Sequence, residues 1–506
     1  MAAAQRWPWH EFSFRGRHYL VNGETGVVHL LDEAAAAAWE VLLDRSTLGP
    51  PDCAYTCSID QGQEPGQSAE QVPDTLVSRF GRAVATEAWQ EVCTLVRAVS
   101  CSESCSASPS KAQVKPGASP EAGSWAEPEP IRIGTPLKAL CLLVAMDCNL
   151  ACRYCFAAPD WHARGPRRMP LTVACRAIDF LIEASGASRF LQIDFFGGEP
   201  TLNLEVVREA TAYAQTVARQ HDKQVNFTLT TNALIWSDEI ADFLNEHHFQ
   251  VILSLDGRPE VHDRLRRRAG DQPSHALVLR NVTQAVASLV DQNYWVRGTF
   301  TRFNLDFASD VEYLVKHGFR QISFEPVVDL PDRPWALQEE DLPRLLAEYE
   351  RLAELYLEQA AKGDPFEFFH FRLAPPSGPC VARRISGCGA GYQYLAVTPE
   401  GELYPCHQFV GRDAYRLGSI FDPDAVQRFS PDGGCTLSER FRRTHAQSKP
   451  ECRRCWAKLY CGGGCHANAD LLAGDIAATL PLFCTLQKKR VELSIALRTE
   501  IELMKP

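Results

Sequence analysis

The chain has 506 residues, of which 45% are hydrophobic and 23% are charged, a composition that is ordinary for a globular protein and excludes a disordered one. The 52 basic and 63 acidic residues give a net charge of −11, which argues against binding to nucleic acid through phosphate contacts. The longest uncharged apolar run, around Ala139–Met146, is too short to span a membrane, and the N-terminal sequence MAAAQRWPWHEF lacks the apolar core of a secretory signal. We therefore expect a cytoplasmic protein with a large core.

The number of cysteines does not fit an ordinary cytoplasmic protein. The chain has 19 of them. Structural disulfides are not expected, because the cytosol keeps thiols reduced. Metal or iron–sulfur cluster ligation is therefore the leading explanation.

The N-terminal segment predicts a small winged-helix-like domain over residues 1–99. Its strands and helices are expected at Phe12–Phe14, Tyr19–Val21, Val27–Leu31, Glu33–Asp44 and about Thr75–Val99. Asp32 is placed to cap the first helix. An irregular insertion at 45–73 interrupts the domain, and a Ser-, Pro-, Ala- and Glu-rich linker is expected at 100–130.

The middle of the chain, residues 131–375, alternates apolar strands with helices. Six strands are expected at Leu137–Val144, Leu191–Phe196, Val225–Thr230, Gln250–Leu255, Trp295–Thr301 and Gln321–Val327. Helices between them are expected at Thr172–Ser185, Leu204–Gln220 and Ser237–Glu246. This alternation predicts an α/β fold with a parallel sheet or partial (β/α)6 TIM-like barrel whose strands are buried on both faces. Chemistry is expected at the carboxyl ends of the strands.

Three closely spaced cysteines, Cys148, Cys152 and Cys155, follow the first of these strands as CxxxCxxC. Three thiolates hold three irons of a [4Fe–4S] cluster and leave the fourth iron open to a small molecule. The alternative is a zinc site, but zinc favours CxxC pairs and four protein ligands. The motif resembles that of the radical S-adenosylmethionine (SAM) superfamily, in which SAM binds the open iron and yields a 5′-deoxyadenosyl radical.

The following strand ends strengthen that resemblance. Residues 197–200 resemble the GGEP motif that holds the amino group of SAM, and polar residues also end the third and fourth strands. The resemblance implies SAM contacts from Gly197, Gly198, Glu199, Pro200, Asn232, Ser254 and Asp256. Taken singly, each of these residues is equally typical of a turn or strand cap. The basic run Arg266–Arg268 is expected to be a solvated face.

A second group of cysteines dominates residues 376–486, before a C-terminal helix at 487–506. Its members are Cys380, Cys388, Cys406, Cys452, Cys455, Cys461, Cys465 and Cys484. Their spacing resembles the SPASM domain, which carries two auxiliary [4Fe–4S] clusters, so that three clusters are expected in all. The resemblance implies an outer cluster on Cys452, Cys455, Cys461 and Cys484, and an inner cluster on Cys388, Cys406 and Cys465. Cys380 is either the fourth inner ligand or unneeded because that iron takes a substrate thiolate. A zinc ribbon is the alternative.

Longer sequence segments resemble one particular family within the radical SAM superfamily. LKALCLLVAMDCNLACRYCFA, IDFFGGEP and CRRCWAKLYCGGGCHANA resemble the maturases of SCIFF peptides, over roughly residues 137–486. This implies a thioether between a cysteine sulfur and a carbon of another residue in a small Cys-rich precursor peptide. The N-terminal domain resembles the PqqD-like element that recognises the leader of such peptides, and a flavodoxin- or ferredoxin-like reductant is expected. His407 is a candidate proton acceptor or else a hydrogen-bonded structural histidine.

Other functions share most of these features. A radical SAM enzyme that makes another cross-link, a sulfatase-maturase-type oxidase, and a non-catalytic iron–sulfur protein that binds peptides or carries electrons are the alternatives. Related maturases that oxidise serine or cysteine carry Asp where this chain has His407, which counts against the second. A DNA-binding winged helix is disfavoured, because Glu33–Asp44 is acidic and Ala-rich. No role is assigned to Cys53, Cys57, Cys93, Cys101, Cys105, Cys141, Cys175 and Cys435.

Overall fold

The structure, a computed structural model, describes residues 9–23, 25–45, 72–105, 136–157, 161, 167–372, 385–430, 433 and 435–505. The chain divides into two compact units, one of Met1–Glu129 with Arg454–Trp456 and one of Pro130–Arg453 with Ala457–Pro506. Cys53, Cys57 and Cys380 lie outside the described residues. No helix within the described ranges is both long and apolar enough to cross a membrane.

The first unit contains an antiparallel sheet of order β1-β2-β3, followed by three helices. These elements are β1 Trp9–Phe14, β2 Arg17–Asn22, β3 Val28–Leu31, α1 Glu33–Arg45, α2 Asp74–Phe80 and α3 Arg82–Cys105. The Asp32 carboxylate accepts a hydrogen bond from the Ala35 N–H at 2.7 Å, so the predicted cap is confirmed. The single helix expected at Thr75–Val99 is wrong, since Gly81, with φ of 79°, separates two helices. The second helix continues to Cys105, into the segment where the sequence predicts a linker.

The second unit is built on six parallel strands that follow one another in chain order, as the sequence predicts. They are β4 Ala139–Ala145, β5 Phe190–Gly197, β6 Gln224–Thr231, β7 Gln250–Ser254, β8 Tyr294–Phe300 and β9 Gln321–Pro326. The helices of this region are α4 Leu171–Ala184, α5 Leu204–Gln220, α6 Asp238–Glu246, α7 Pro259–Leu265, α8 His275–Ser288, α9 Phe307–Lys316 and α10 Leu342–Ala361. All the strand ends that carry candidate residues therefore lie at one edge of the sheet.

Burial of these strands differs from the expectation. Strand β4 is buried on both faces, but β5 alternates, with Leu191, Ile193 and Phe195 buried and Gln192 exposed. The apolar positions pack in the core, while the opposite face of β5 and β6 carries polar side chains. The prediction of strands buried on both faces is therefore wrong for β5 and β6, because only one face of each strand packs in the core.

The Cys-rich region extends the same sheet. Its elements are β11 Tyr394–Val397, β12 Glu402–Tyr404, β13 Gly418–Ser419, α11 Ala425–Phe429, α12 Thr436–Arg443, α13 Pro450–Arg453, α14 Lys458–Cys461, α15 His466–Ala473 and α16 Pro481–Met504. Strand β11 pairs in parallel with β4, and β10, Glu367–Phe368, pairs with β9, which gives ten strands. Helix α16 begins before the predicted residues 487–506 and contains Cys484 in its first turn. The pairing of β11 with β4 brings the Cys-rich region beside the strand that precedes the CxxxCxxC motif.

Candidate functional site

The CxxxCxxC thiols converge in the loop after β4. Cys152 interacts electrostatically with both Cys148 and Cys155, and Cys148 also interacts with Cys155. Burial raises the pKa of Cys148 to about 11 and that of Cys152 to about 12. Binding iron therefore requires deprotonation of both buried thiols. Three converging thiols fit a cluster that takes three protein ligands. Among the described residues, no group of three or more Cys, His, Asp or Glu side chains is placed to hold a single metal ion.

A buried hydrogen-bonded network of Tyr154, Asp256 and Arg266 holds this loop in place. The Tyr154 hydroxyl donates to one Asp256 oxygen, and the Arg266 guanidinium donates to Tyr154 at 3.0 Å. The other Asp256 oxygen accepts from the Thr299 N–H at 3.1 Å. Burial raises the pKa of Asp256, and the Arg266 charge opposes that shift. Both Asp256 oxygens are therefore engaged with the protein, and Asp256 positions the loop that carries the cysteines.

Arg266 is the clearest departure from the sequence interpretation. Its side chain is buried, with 8% exposure, and it interacts electrostatically with Cys148 and Cys152. The prediction of a solvated basic face is therefore wrong for Arg266. A buried cation at this position is stabilised by Asp256 and by thiolate charge, and the sequence does not show this because the cysteines lie more than a hundred residues away along the chain.

The two glycines of the GGEP motif allow the loop after β5 to lie against the loop after β4. A Cβ atom on Gly197 would stand 1.9 Å from the Ala145 carbonyl oxygen. A Cβ on Gly198 would stand 2.4 Å from the Asp147 carbonyl oxygen and 3.1 Å from the Cys148 Cβ. Glycine is therefore required at both positions by close approach to the cysteine loop.

Glu199 connects the loop after β5 to the carboxyl end of β6. It is fully buried, and its Oε1 accepts from the Thr201 N–H, the Thr201 hydroxyl and the Thr231 hydroxyl, while Oε2 accepts from the Asn232 N–H at 2.8 Å. Burial raises the pKa of Glu199, and these donors oppose the shift. Pro200 then begins a short 3-10 turn. Glu199 thereby fixes the position of Asn232 relative to the glycines.

Asn232 links this network to the cysteines. Its Nδ2 lies 3.6 Å from the Cys148 Sγ and donates to Asn149 Oδ1 at 2.7 Å. Ser254 is half-buried at the end of β7 and is in register with Arg297 of β8. The sequence-predicted SAM contacts are thus all at the carboxyl ends of β5, β6 and β7, beside the cysteine loop.

The Cys-rich region separates its thiols into two groups. Cys406 interacts electrostatically with Cys388 and Cys465, and burial raises the pKa of all three thiols. Cys452, Cys461 and Cys484 instead interact electrostatically with the ammonium group of Lys449. The assignment of individual cluster ligands stays a prediction.

His407 packs against an aromatic side chain of β5 and another of the CxxxCxxC loop. Its ring centroid lies 4.7 Å from that of Phe196 and 5.5 Å from that of Phe156, the residue after Cys155. Burial and the nearby Arg297 charge lower its pKa to about 4, so the imidazole is neutral near pH 7. Within the described part of the chain, its buried Nδ1 has no hydrogen-bond partner. This is unlike a hydrogen-bonded structural histidine.

Some residues of the site carried little or no signal in the sequence. Tyr154 lies inside the CxxxCxxC motif and Lys449 lies shortly before Cys452. Their closeness in the sequence to these cysteines is the only signal that could have identified them. Cys141 is a buried thiol of β4 that hydrogen-bonds Tyr394 and interacts with Cys406. The sequence assigns Cys141 no role, because a cysteine in an apolar strand cannot be distinguished there from an ordinary residue of the hydrophobic core.

Two family models match the regions described above. Residues 143–300 match the Radical SAM superfamily, and residues 388–456 match SPASM, an iron–sulfur cluster-binding domain. The chain is a radical SAM enzyme. Its fold combines a parallel α/β sheet with a Cys-rich SPASM domain, and SAM and iron–sulfur clusters are the cofactors of these domains.

Relatives of known name share this radical SAM arrangement at low identity. The chain is 24% identical over 363 residues to a cysteine-type anaerobic sulfatase-maturating enzyme of Clostridium novyi (strain NT), which covers 66% of this chain and 90% of that protein. It is 27% identical over 330 residues to the mycofactocin maturase of Mycolicibacterium smegmatis, with coverage of 63% and 76%. The solved structure of native anSMEcpe with bound AdoMet and Cp18Cys peptide has a TM-score of 0.59, 22% identity and coverage of 73% and 99%. This structural likeness establishes the fold.

Proposed function

We propose that this radical SAM enzyme is a peptide maturase that joins a cysteine sulfur to a carbon of another residue in a short, Cys-rich, SCIFF-like precursor. The observation that carries the proposal is the contact between Phe156, next to Cys155, and His407, next to Cys406. This contact supports a location of Cys406 close to the CxxxCxxC loop. Relatives named as maturating enzymes support a peptide as substrate.

We assign three [4Fe–4S] clusters to the enzyme. One is held by Cys148, Cys152 and Cys155, the inner auxiliary cluster by Cys388, Cys406 and Cys465, and the outer one by Cys452, Cys455, Cys461 and Cys484. Bound SAM supplies a 5′-deoxyadenosyl radical, which takes a hydrogen atom from a substrate carbon. Gly197, Gly198, Glu199, Pro200, Asn232, Ser254 and Asp256 form or shape its binding site.

His407 is the proposed proton acceptor for the substrate thiol. A neutral imidazole with a free nitrogen accepts a proton, and the Nδ1 of His407 is neutral and unbonded among the described residues. The thiol proton would pass to Nδ1 as the carbon–sulfur bond forms between the thiolate and the carbon that has lost its hydrogen atom. One electron is then left over, and the auxiliary clusters would accept it. With the hydrogen atom taken from carbon, each cross-link lowers the peptide mass by two hydrogens.

The N-terminal unit is the proposed binding site for the leader of the precursor. Strand β3 lies at an edge of the three-stranded sheet, and its Val28 and Leu30 are exposed. An extended peptide adds to such an edge through main-chain hydrogen bonds, while exposed apolar side chains contact its residues. A flavodoxin- or ferredoxin-like protein is the proposed electron donor.

Sulfatase-maturase-type oxidation is the second candidate function, favoured by the names of several relatives. It oxidises one residue without joining it to another. His407 stands where related maturases have Asp, which favours the cross-linking function instead.

The test is mass spectrometry of a short, Cys-rich precursor peptide with its leader, after anaerobic incubation with reconstituted full-length enzyme, SAM and reductant. A thioether predicts a loss of two hydrogens, one thiol that resists alkylation, and missing fragment ions between the joined residues. Oxidation of one residue predicts a complete fragment series, which would overturn the cross-linking proposal.

Variants separate the cofactor assignment from the substrate assignment. Combined Cys148→Ala, Cys152→Ala and Cys155→Ala should abolish formation of 5′-deoxyadenosine, because the cluster that binds SAM loses its protein ligands. Cys175→Ala is the matched control, since Cys175 is a half-buried thiol on α4 outside both thiol groups. Continued production of 5′-deoxyadenosine by the triple variant would show that the catalytic cluster lies elsewhere.

A further inference from the structure

Lys449 is a buried lysine in the Cys-rich region. Its residue exposure is 2%. Its Nζ donates hydrogen bonds to the Gly463 carbonyl oxygen at 2.9 Å and to the Ala478 carbonyl oxygen at 3.3 Å. Lysine is almost never fully buried unless it is paired with an anion, because burial of an ammonium charge is costly.

No carboxylate in the described part of the chain lies within ion-pair distance of the Lys449 ammonium group. Asp475 interacts with it from further away, but its own side chain is half-exposed and pairs with Arg440 at 3.0 Å. The neighbouring His466 supplies no charge, since burial and the Lys449 charge lower its pKa to about 4. The two carbonyl oxygens satisfy hydrogen bonds but do not neutralise the charge.

The thiols are the remaining counter-charges. Lys449 interacts electrostatically with Cys452, Cys461 and Cys484 of one thiol group. It also interacts with Cys465 of the other group. Lys449 therefore interacts electrostatically with three thiols of one group and with one thiol of the other.

We infer that Lys449 supplies the positive charge that sets the reduction potentials of the auxiliary clusters, an inference that rests on the proposed function. One-electron reduction of a cluster makes the cluster and its thiolates more negative by one charge. A cation buried beside them stabilises the reduced form more than the oxidised form, and nearby charge is one of the protein's means of setting such potentials. Lys449 acts through its charge on the cluster ligands.

The test is a redox titration of full-length, iron- and sulfide-reconstituted protein, with dithionite as reductant and viologen mediators, followed by electron paramagnetic resonance. The triple alanine variant of Cys148, Cys152 and Cys155 serves as background, so that only auxiliary clusters contribute. Lys449→Gln keeps two N–H donors but removes the charge. We expect it to lower the equilibrium constant for reduction at least tenfold, which is about 59 mV for one electron.

Two controls separate charge from structure. Lys449→Arg keeps the charge, so the potentials should stay close to those of the parent protein. Lys362→Gln removes the same charge from an exposed lysine of the same unit, and it should leave the potentials unchanged. Unchanged potentials in Lys449→Gln, with the clusters present, would overturn the inference and leave the proposed function standing.

A measurement on native Lys449 covers the case in which Lys449→Gln does not fold. In protein labelled with ¹⁵N-lysine, pulsed electron paramagnetic resonance of the reduced auxiliary clusters should detect a lysine nitrogen, and the signal should disappear in Lys449→Arg. Absence of that coupling overturns the inference. If the protein binds only one cluster, the inference and the assignment of auxiliary clusters both fail. If the potentials shift but no thioether forms, only the proposed function fails.

Discussion

Replacing Glu199 by alanine removes the acceptor shared by the loops after β5 and β6. Four donors lose their partner: the N–H and hydroxyl of Thr201, the hydroxyl of Thr231 and the N–H of Asn232. The hydroxyls can rotate toward other acceptors, but the two N–H groups stay fixed in a site where Glu199 is 0% exposed. Each buried donor left unsatisfied costs about 1–3 kcal/mol, so we expect a loss of about 4 kcal/mol in the free energy of unfolding.

Calorimetry of the full-length, reduced apoprotein measures this loss. An unfolding entropy of about 2.1 cal/mol/K per residue, applied to the larger unit, makes 4 kcal/mol equivalent to a decrease of about 5 °C in Tm. Glu205→Ala is the matched control, because Glu205 is an exposed carboxylate nearby in the first turn of α5, and its loss should change stability by about 0.5 kcal/mol or less. Equal Tm values for the two variants would refute the view that Glu199 is a structural acceptor.

The same unit supports two further predictions. Arg266→Met leaves Asp256 and Tyr154 buried without their cation, and it should lower the free energy of unfolding by about 3–5 kcal/mol in calorimetry; a loss below about 1 kcal/mol would contradict the buried ion pair. Burial raises the pKa of Glu325, but its contacts with His370 and nearby cations hold it below the usual 4.5. A depressed pKa stabilises the folded protein at pH values above the pKa of the group in the unfolded chain. In urea denaturation, the free energy of unfolding of wild type should therefore exceed that of Glu325→Gln by the full amount above about pH 4.5, and by less as the pH falls. A difference that does not depend on pH would refute the assignment.

The order of strands and helices could be predicted because the pattern is local. The apolar runs that became β4 to β9 and the spacing of Cys148, Cys152 and Cys155 are properties of neighbouring residues. The break at Gly81 was missed, since a single glycine is tolerated inside many helical patterns. The polar face of β5 was missed as well, because short apolar runs do not show which side of a strand faces a site.

Contacts between distant residues needed the folded chain. The sequence showed Arg266 only as part of a basic run. Arg266 is buried because its segment packs against the segment of Tyr154, which lies more than a hundred residues earlier in the chain. Lys449 likewise gained its role only when Cys452, Cys461, Cys465 and Cys484 were brought around it.

The sequence by itself determined the alternation of strands and helices and the chemistry of the ligands, because hydrophobic periodicity and cysteine spacing are written along the chain. Only the tertiary structure decided which thiols share a group, which charges are buried, and that β11 joins β4 in one sheet. The physical reason is that burial, electrostatic interaction and hydrogen bonding depend on distance in space. The fold sets that distance by bringing together residues far apart in the sequence, and the local sequence around each residue does not identify its partner.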